Sequence, residues 1–487
     1  MPRPRRTRGR AEVQRIDREL TPQRGESVSF EVVCRPRSGE GLPQMMTELT
    51  VDTLERSTPD GRTIQDVAKK LQELGFRVFV DDDSTSVSAE GPYDLFEKTF
   101  QTKLRKRSRT LKAGAREQSV EFFDTMADAP EPNIMSVPGA LYAAIQRRPI
   151  YFQSPIPPPV KYFHLNVPGD VAMLTQASAT HRRSIASGAS ATGGGIRVAM
   201  LDTGFFVHPY HLAHGYRLNP VAAADAVPQA SDDPSGHGTG EVANIFACAP
   251  DAQVFGVKMG NNPVLSFDRA MSIGPRIISC SWGFHLPGVT TLPPGLVPLR
   301  LRILSAVASG VTVVFSAGNG HVGFPGMMPE VISVGGVFVD QNVTLRASNY
   351  ASSFMSLIFP GRRVPDFCGL VGMQPRATYI MLPIPRGCDI DTDLGGGAQP
   401  NKDETTINDG WGVFSGTSAA APQVAGICAL LLQKRPSLSP NQVKAVLRAT
   451  ATDVTTGVSF MGETAGPGID NATGAGLVNA LRAWQSA

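Results

Sequence analysis

The feature that most constrains this chain is a series of short, almost wholly apolar runs separated by helical ones in its second two-thirds. RVAMLDTG, AQVFGVKM, RIISCSWG, VTVVFSAGN and VISVGGV read as strands, and LVPLRLRILSAVASG and SAAAPQVAGICALLLQKR as helices. Apolar strands alternating with helices imply a parallel sheet covered on both faces. Ligand chemistry on such a sheet gathers at the carboxyl ends of its strands. The class expected from this pattern is α/β.

Charge divides the 487 residues in two. Residues 1–160 carry 25 Lys and Arg with 23 Asp and Glu, against 21 and 20 in residues 161–487, which is twice as long. The Pro-rich stretch 146–164 marks the join. Before it, residues 1–25 are Arg-rich and read as a disordered basic tail. Residues 26–145 give strand, amphipathic helix (TIQDVAKKLQELGF), two short strands, a second helix (PYDLFEKTFQTKL) and a last strand, a small ferredoxin-like α+β unit. Residues 165–487 form the large α/β domain.

The net charge of +3 argues against binding nucleic acid with the whole surface, although the Arg-rich tail keeps a local role open. No apolar run reaches membrane-spanning length, so no membrane partner is expected. MPRPRRTRGR is followed by charged residues, not by an apolar stretch, so a cytoplasmic location is the expectation. Cys248, Cys280 and Cys428 read as buried small hydrophobes. Cys368 and Cys388 share a Gly/Pro-rich stretch and are the one pair considered for a disulfide.

Four segments carry the chemistry. Asp202-Thr203-Gly204 ends an apolar strand, and Gly236-His237-Gly238-Thr239 opens a helix. Ser316-Ala317-Gly318-Asn319-Gly320 ends another strand, and Gly416-Thr417-Ser418-Ala419-Ala420-Ala421-Pro422 opens the longest helix. A serine hydroxyl is a weak nucleophile that needs a base, and the base needs an orienting group. A carboxylate, an imidazole and a hydroxyl at three such ends meet those needs. A helix N-terminus at Ser418 offers an N–H and a positive dipole end to an oxyanion, and Asn319 a second donor. Each residue alone is an ordinary cap or turn residue.

In this order the four motifs resemble the subtilisin-like serine proteases, the subtilases, over roughly residues 165–487. The resemblance implies a subtilisin-like parallel sheet flanked by helices and a serine endopeptidase acting through an acyl-enzyme. It implies Ser418 as nucleophile, His237 as general base then acid, Asp202 as its orienting carboxylate and Asn319 as oxyanion-hole donor. Ser281-Trp282-Gly283 resembles the family's substrate-binding strand, whose backbone pairs with an extended peptide. No cofactor is required. The alternative is a catalytically silent peptide-binding protein of the same fold. The helix–Gly–strand–strand–helix order of VAKKLQELGFRVFVDDDSTSVSAEGPYDLFEKTFQTKLRKR, followed by NIMSVPGALYAAIQRRP, resembles the prodomain of the kumamolisin-type sedolisins, which implies a zymogen whose own N-terminal domain is the inhibitor, its segment near 133–160 lying in the cleft.

Several positions depart from the family pattern or stand outside it. Glu241 puts a carboxylate on a helix face the family often keeps apolar. Trp282 is bulky enough to narrow a pocket. Residues 337–411 are long and Pro/Gly-rich and read as a surface excursion. Asp389, Asp391 and Asp393 alternate as calcium ligands do, without the later bidentate Glu of an EF-hand loop. Lys103, Arg105, Lys106, Arg107 and Arg109 form a basic run. His208, His211 and His214 have metal-site spacing on a helix, while Pro209 and Gly215 favour a loop.

Overall fold

The computed structural model describes residues 14–39, 41–42, 49–81, 84–113, 116–127, 129–147, 163–375, 379–397 and 402–487. Most of the expected linker, residues 148–162, and the start of the basic tail, residues 1–13, lie outside the described residues.

The N-terminal unit begins with a strand where a disordered tail was expected: β1 (Gln14–Leu20). It is followed by β2 (Ser27–Cys34), α1 (Gly61–Glu73), β3 (Arg77–Phe79), β4 (Val87–Pro92) and α2 (Tyr93–Phe100). A hairpin of β5 (Leu104–Ala113) and β6 (Arg116–Thr125) and a last strand, β7 (Ala140–Ile145), complete it. The sheet β3-β4-β2-β7 is antiparallel, and β1-β5-β6 form a second sheet. α1 has the periodicity read from its sequence. It buries Ile64, Val67, Ala68 and Leu71, and the Asp60 carboxylate caps it by accepting from Thr63 N–H at 2.7 Å. Phe30 of β2 packs edge-on against Phe76, Phe96 and Phe100.

β1 forms because the basic run in β5 gives it partners. Asp17 accepts from Arg107 at 2.9 Å and from Arg109 at 3.0 Å, while Lys106 pairs with Glu26 and Glu121, and Lys103 with Glu97. The cluster of like charges is thus matched within the unit.

The larger domain holds an eight-stranded sheet. Its strands are β8 (Arg197–Asp202), β9 (Arg217–Ala222), β10 (Gln253–Lys258), β11 (Ile277–Cys280), β12 (Thr312–Ser316), β13 (Ile332–Val339), β14 (Leu345–Ala347) and β15 (Phe367–Leu370). They lie in the order β9-β10-β8-β11-β12-β13-β14, with β15 also on β13, and every pair except β13–β14 is parallel. Four helices matter for the site: α3 (His237–Cys248), α4 (Pro263–Ser272), α5 (Val297–Ala308) and α6 (Thr417–Lys434). α6 is buried without a break from Thr417 to Leu432, as a helix apolar on nearly every side must be. The five strands and two helices read from the sequence all form.

Residues 337–411 are not the surface excursion expected of them. They supply β14 and β15 to the sheet, and Phe367, Cys368 and Leu370 are fully buried. Short strands between prolines and glycines carry too little periodicity to be read as core. All six cysteines are free and buried. Cys368 Sγ donates to the Thr473 carbonyl at 3.3 Å, so no Cys368–Cys388 disulfide exists. His208 caps a short helix, Pro209–Ala213, in place of the expected loop, because proline is well suited to a first helical position. Among the described residues no helix is long and apolar enough to cross a membrane.

The N-terminal unit docks on the ends of α4 and α5. Asn262, the N-cap of α4, donates to Glu31 Oε1 at 2.6 Å, and Glu31 is wholly buried. Just before α5, the Pro294 carbonyl accepts from Tyr142 Oη at 2.9 Å and the Gly295 carbonyl from Gln146 Nε2 at 3.1 Å. Val33, Leu49 and Leu54 join the hydrophobic core beneath α4 and α5.

Candidate active site

Asp202 is the last residue of β8 and His237 the first of α3, and both are buried. His237 Nδ1 lies 2.8 Å from Asp202 Oδ1, which also accepts the Thr203 N–H at 2.8 Å. The two segments are tied by a residue that the sequence reading passed over. Asp233 accepts from Thr203 Oγ1 (2.7 Å), Gly236 N (3.1 Å), Thr239 N (2.9 Å) and Thr239 Oγ1 (2.7 Å). Thr203 Oγ1 in turn accepts from Gly238 N at 3.1 Å, and Thr239 Oγ1 from Phe206 N at 2.9 Å. The signal was present: an Asp three residues before Gly236 is a turn-closing acceptor at a helix start. Gly238 is required there, because a Cβ would lie 2.3 Å from the Gly204 carbonyl.

Ser418 is the second residue of α6, and α6 packs along α3. Gly426 fits beneath Cys248 and Ile245, and Gln423 Nε2 reaches Asn244 Oδ1 at 3.5 Å. The N-terminal ends of both helices therefore face the carboxyl ends of the strands. Ser418 Oγ donates to the Ser281 carbonyl at 3.3 Å. Its own carbonyl accepts from Ser281 Oγ at 2.9 Å. That second bond has a local cause. The N–H that would bond the Ser418 carbonyl in a regular helix belongs to residue 422, which is proline and has none. Ser281 replaces the missing donor and pins the strand end beyond β11 to the serine.

Asn319 follows β12. Its Oδ1 accepts from Thr417 N at 2.8 Å and Thr417 Oγ1 at 3.1 Å, which fixes the amide's orientation over the start of α6. Gly416 has φ +104°, and a Cβ there would lie 2.7 Å from Asn319 Nδ2, so glycine alone allows this approach. Asn319, Thr417, Ser418 and Ser281–Gly283 line one cleft, together with His285 and His321. The two histidine rings meet edge to face at 5.2 Å, and burial pushes His321 down to about 3, so it is neutral. Neither histidine stood out in the sequence.

Trp282 lines the same cleft. Its indole is buried against Phe267, Phe284 and Phe315, and Nε1 donates to the Leu201 carbonyl at 3.1 Å. The N-terminal unit contributes to the same lining through Arg109 of β5, Val120 and Phe122 of β6, and Arg147. Phe122 is buried with the guanidinium groups of Arg109 and Arg147 each 5.1 Å from its ring centre.

The electrostatics favour a charged imidazole. Burial opposes the charge on His237, but the charge and hydrogen bond of Asp202, followed by Glu241 and Asp233, outweigh it and raise the proton affinity above the usual value. Among the described residues no group of three His, Cys, Asp or Glu could hold a metal ion. Asp391 instead accepts from Gly387 N at 2.7 Å and from Asn408 N at 3.0 Å, closing two turns.

The family model for the subtilases, peptidase S8, matches residues 193–476. The chain belongs to the subtilase family. It is therefore a serine-type peptidase, with the subtilisin-like α/β fold expected from its motifs. It is 28% identical to the M-protease of Shouchella clausii (strain KSM-K16) over 337 residues, which cover 65% of this chain and 69% of that protein. Identity is also 28% to subtilisin Savinase of Lederbergia lenta, over 65% of this chain and 97% of that one. Among solved structures, fervidolysin from Fervidobacterium pennivorans, a keratinolytic enzyme related to subtilisin, superposes with a TM-score of 0.57 at 19% identity. That match covers 96% of this subtilase and 62% of fervidolysin, so this chain spans less than two thirds of its length, and it bears on the fold alone.

Proposed function

We propose that Ser418 is the nucleophile of an endopeptidase, with His237 as general base then acid, Asp202 as the orienting carboxylate and Asn319 as oxyanion donor. The observation that carries this reading is the Asp202–His237 bond of 2.8 Å at the strand edge where Ser418 opens the neighbouring helix. As substrate enters, the Ser418 hydroxyl turns from the Ser281 carbonyl to His237 Nε2. Its oxygen then attacks the peptide carbonyl, and its proton passes through His237 to the leaving amine. The developing oxyanion meets the Ser418 N–H, one of the N–H groups a helix start leaves without an intrahelical partner. Asn319 supplies the second donor, since its carbonyl end is already held by Thr417. Ser281-Trp282-Gly283 offers backbone to an extended peptide. These steps draw on no cofactor.

The pH dependence follows from sign alone. Protonated His237 cannot take the serine proton, so kcat/KM falls as pH drops through its pKa. That pKa is raised, so the acid limb is expected to have its midpoint above the ordinary imidazole value of about 6.5. A pH–rate profile on a peptide substrate measures it.

The N-terminal unit reads as the enzyme's own inhibitor, supported by Arg109, Phe122 and Arg147 in the same cleft as Ser418. Intact-mass measurement on purified wild type beside Ser418→Ala tests both parts of this reading. The wild type is expected to be cut within residues 148–162 and the variant to stay whole. Equal trimming of both would remove self-processing.

A further inference from the structure

Close to the imidazole lies a carboxyl that the mechanism leaves unused. Glu241 stands one turn after His237 on α3 and is fully buried. Its Oε1 is 3.8 Å from His237 Nε2 and has no hydrogen-bond partner among the described residues. Its other oxygen accepts from Asn244 Nδ2 at 3.0 Å. Asn244 Oδ1 is met by Gln423 Nε2 at 3.5 Å, and Gln423 is clamped to Leu370 N–H at 2.8 Å and to the Leu370 carbonyl at 3.3 Å. Amides from α3, α6 and β15 thus hold one carboxyl oxygen and leave the other toward the imidazole. A valine at this place would pack the same interior with no polar group to satisfy, whereas a buried carboxyl with one oxygen unmatched is unfavourable unless it serves a neighbour.

We propose that Glu241 is a positioning residue that acts through His237: its carboxylate stands beside the Nε2 proton that His237 takes from Ser418, and so sets the pH range in which His237 works as a base. The imidazolium is then flanked by two carboxylates, Asp202 at Nδ1 and Glu241 toward Nε2. Glu241 itself takes no proton in the cycle, which runs from Ser418 Oγ to His237 Nε2 to the leaving amine. The charged groups around it are few. His237 on its own helix favours its ionised form, and Asp202 at the end of β8 opposes it. Among the described residues, α6 and β15 meet Asn244, which holds this carboxyl, through the Gln423 amide and the Leu370 backbone. Asp233, ahead of α3, adds its charge at His237. Burial raises the proton affinity of Glu241 to about 8, so its carboxylate is complete only above that range, where the raised His237 gives up its own proton.

This rests on the reading of His237 and Ser418 above, so the test must separate the two. In the full chain carrying Ser418→Ala, the titration of His237 is followed by NMR of ring-labelled histidine and assigned with His237→Gln. Adding Glu241→Gln is expected to lower the His237 midpoint by roughly 0.5–1 pH unit, a three- to tenfold loss of proton affinity. In the otherwise wild-type enzyme, Glu241→Gln is expected to move the acid limb of kcat/KM down by the same amount. Should Glu241→Gln not fold, Glu241→Met, of similar volume, takes its place in both measurements. A midpoint that stays put or rises, even with lower melting temperature or turnover, would reduce Glu241 to a structural group and overturn the proposal. Activity that survives Ser418→Ala would instead sink the nucleophile assignment while leaving the titration informative.

Discussion

Ser418→Ala is expected to lower peptide hydrolysis by about 10⁵–10⁶-fold while leaving the fold intact. The hydroxyl is the only group removed, and its bond to the Ser281 carbonyl is long, at 3.3 Å. The serine carbonyl keeps its bond from Ser281 Oγ, so the turn over Pro422 survives. Steady-state kinetics on a chromogenic peptide, with melting temperature as the control, measures the effect. A loss below about tenfold would mean that another group attacks the peptide bond.

Asn319→Ala is the second large effect, expected at about 10²–10³ in kcat with KM little changed, because the oxyanion exists only in the transition state. Both magnitudes are those of a subtilisin, a relative of this protein. In this chain the alanine variant also strands the Thr417 N–H, which Asn319 Oδ1 now accepts at 2.8 Å, at about 1–3 kcal/mol if that group stays dry. Asn319→Asp separates the two roles. It keeps an oxygen for Thr417, loses the donor and adds a negative charge where the oxyanion forms. Stability close to wild type with activity at or below that of Asn319→Ala is expected. Activity near wild type in Asn319→Asp would show that the donor lies elsewhere.

The parallel sheet was legible because its central strands are buried on both faces and so carry unbroken apolar runs. The positions of Asp202, His237 and Ser418 were legible for a different reason: small neighbours mark strand ends and helix starts. What stayed hidden depends on contacts made by residues far apart in sequence. β1 looked like a basic tail because its partner charges, Arg107 and Arg109, lie about ninety residues away. Residues 337–411 look like a surface excursion in the sequence because their strands of three and four residues, 345–347 and 367–370, show no period. Phe122 was not singled out, because an aromatic in an alternating strand looks like core whether it covers its own sheet or another domain's cleft. Glu241 was visible as a departure from pattern, but its meaning needed the 3.8 Å approach to His237.

The pairing of the basic run with Asp17, Glu26, Glu97, Glu121 and Asp124 also changes its interpretation. In the sequence, a row of five cations reads first as a solvated strand end and, more sharply, as an attractive surface for acidic partners. With the acids in place it is a structural seam that holds β1, β5 and the start of β2 together, and it carries Arg109 to the cleft.

In the proposed mechanism Ser418 is activated by His237 at the strand edge beside Asp202. Covalent labelling with a fluorophosphonate, followed by peptide mapping, addresses it directly. One adduct is expected, on Ser418, after the N-terminal unit has been removed by limited proteolysis, and none in His237→Ala. Absence of any adduct on Ser418 in the trimmed wild type, or equal labelling in His237→Ala, would contradict it.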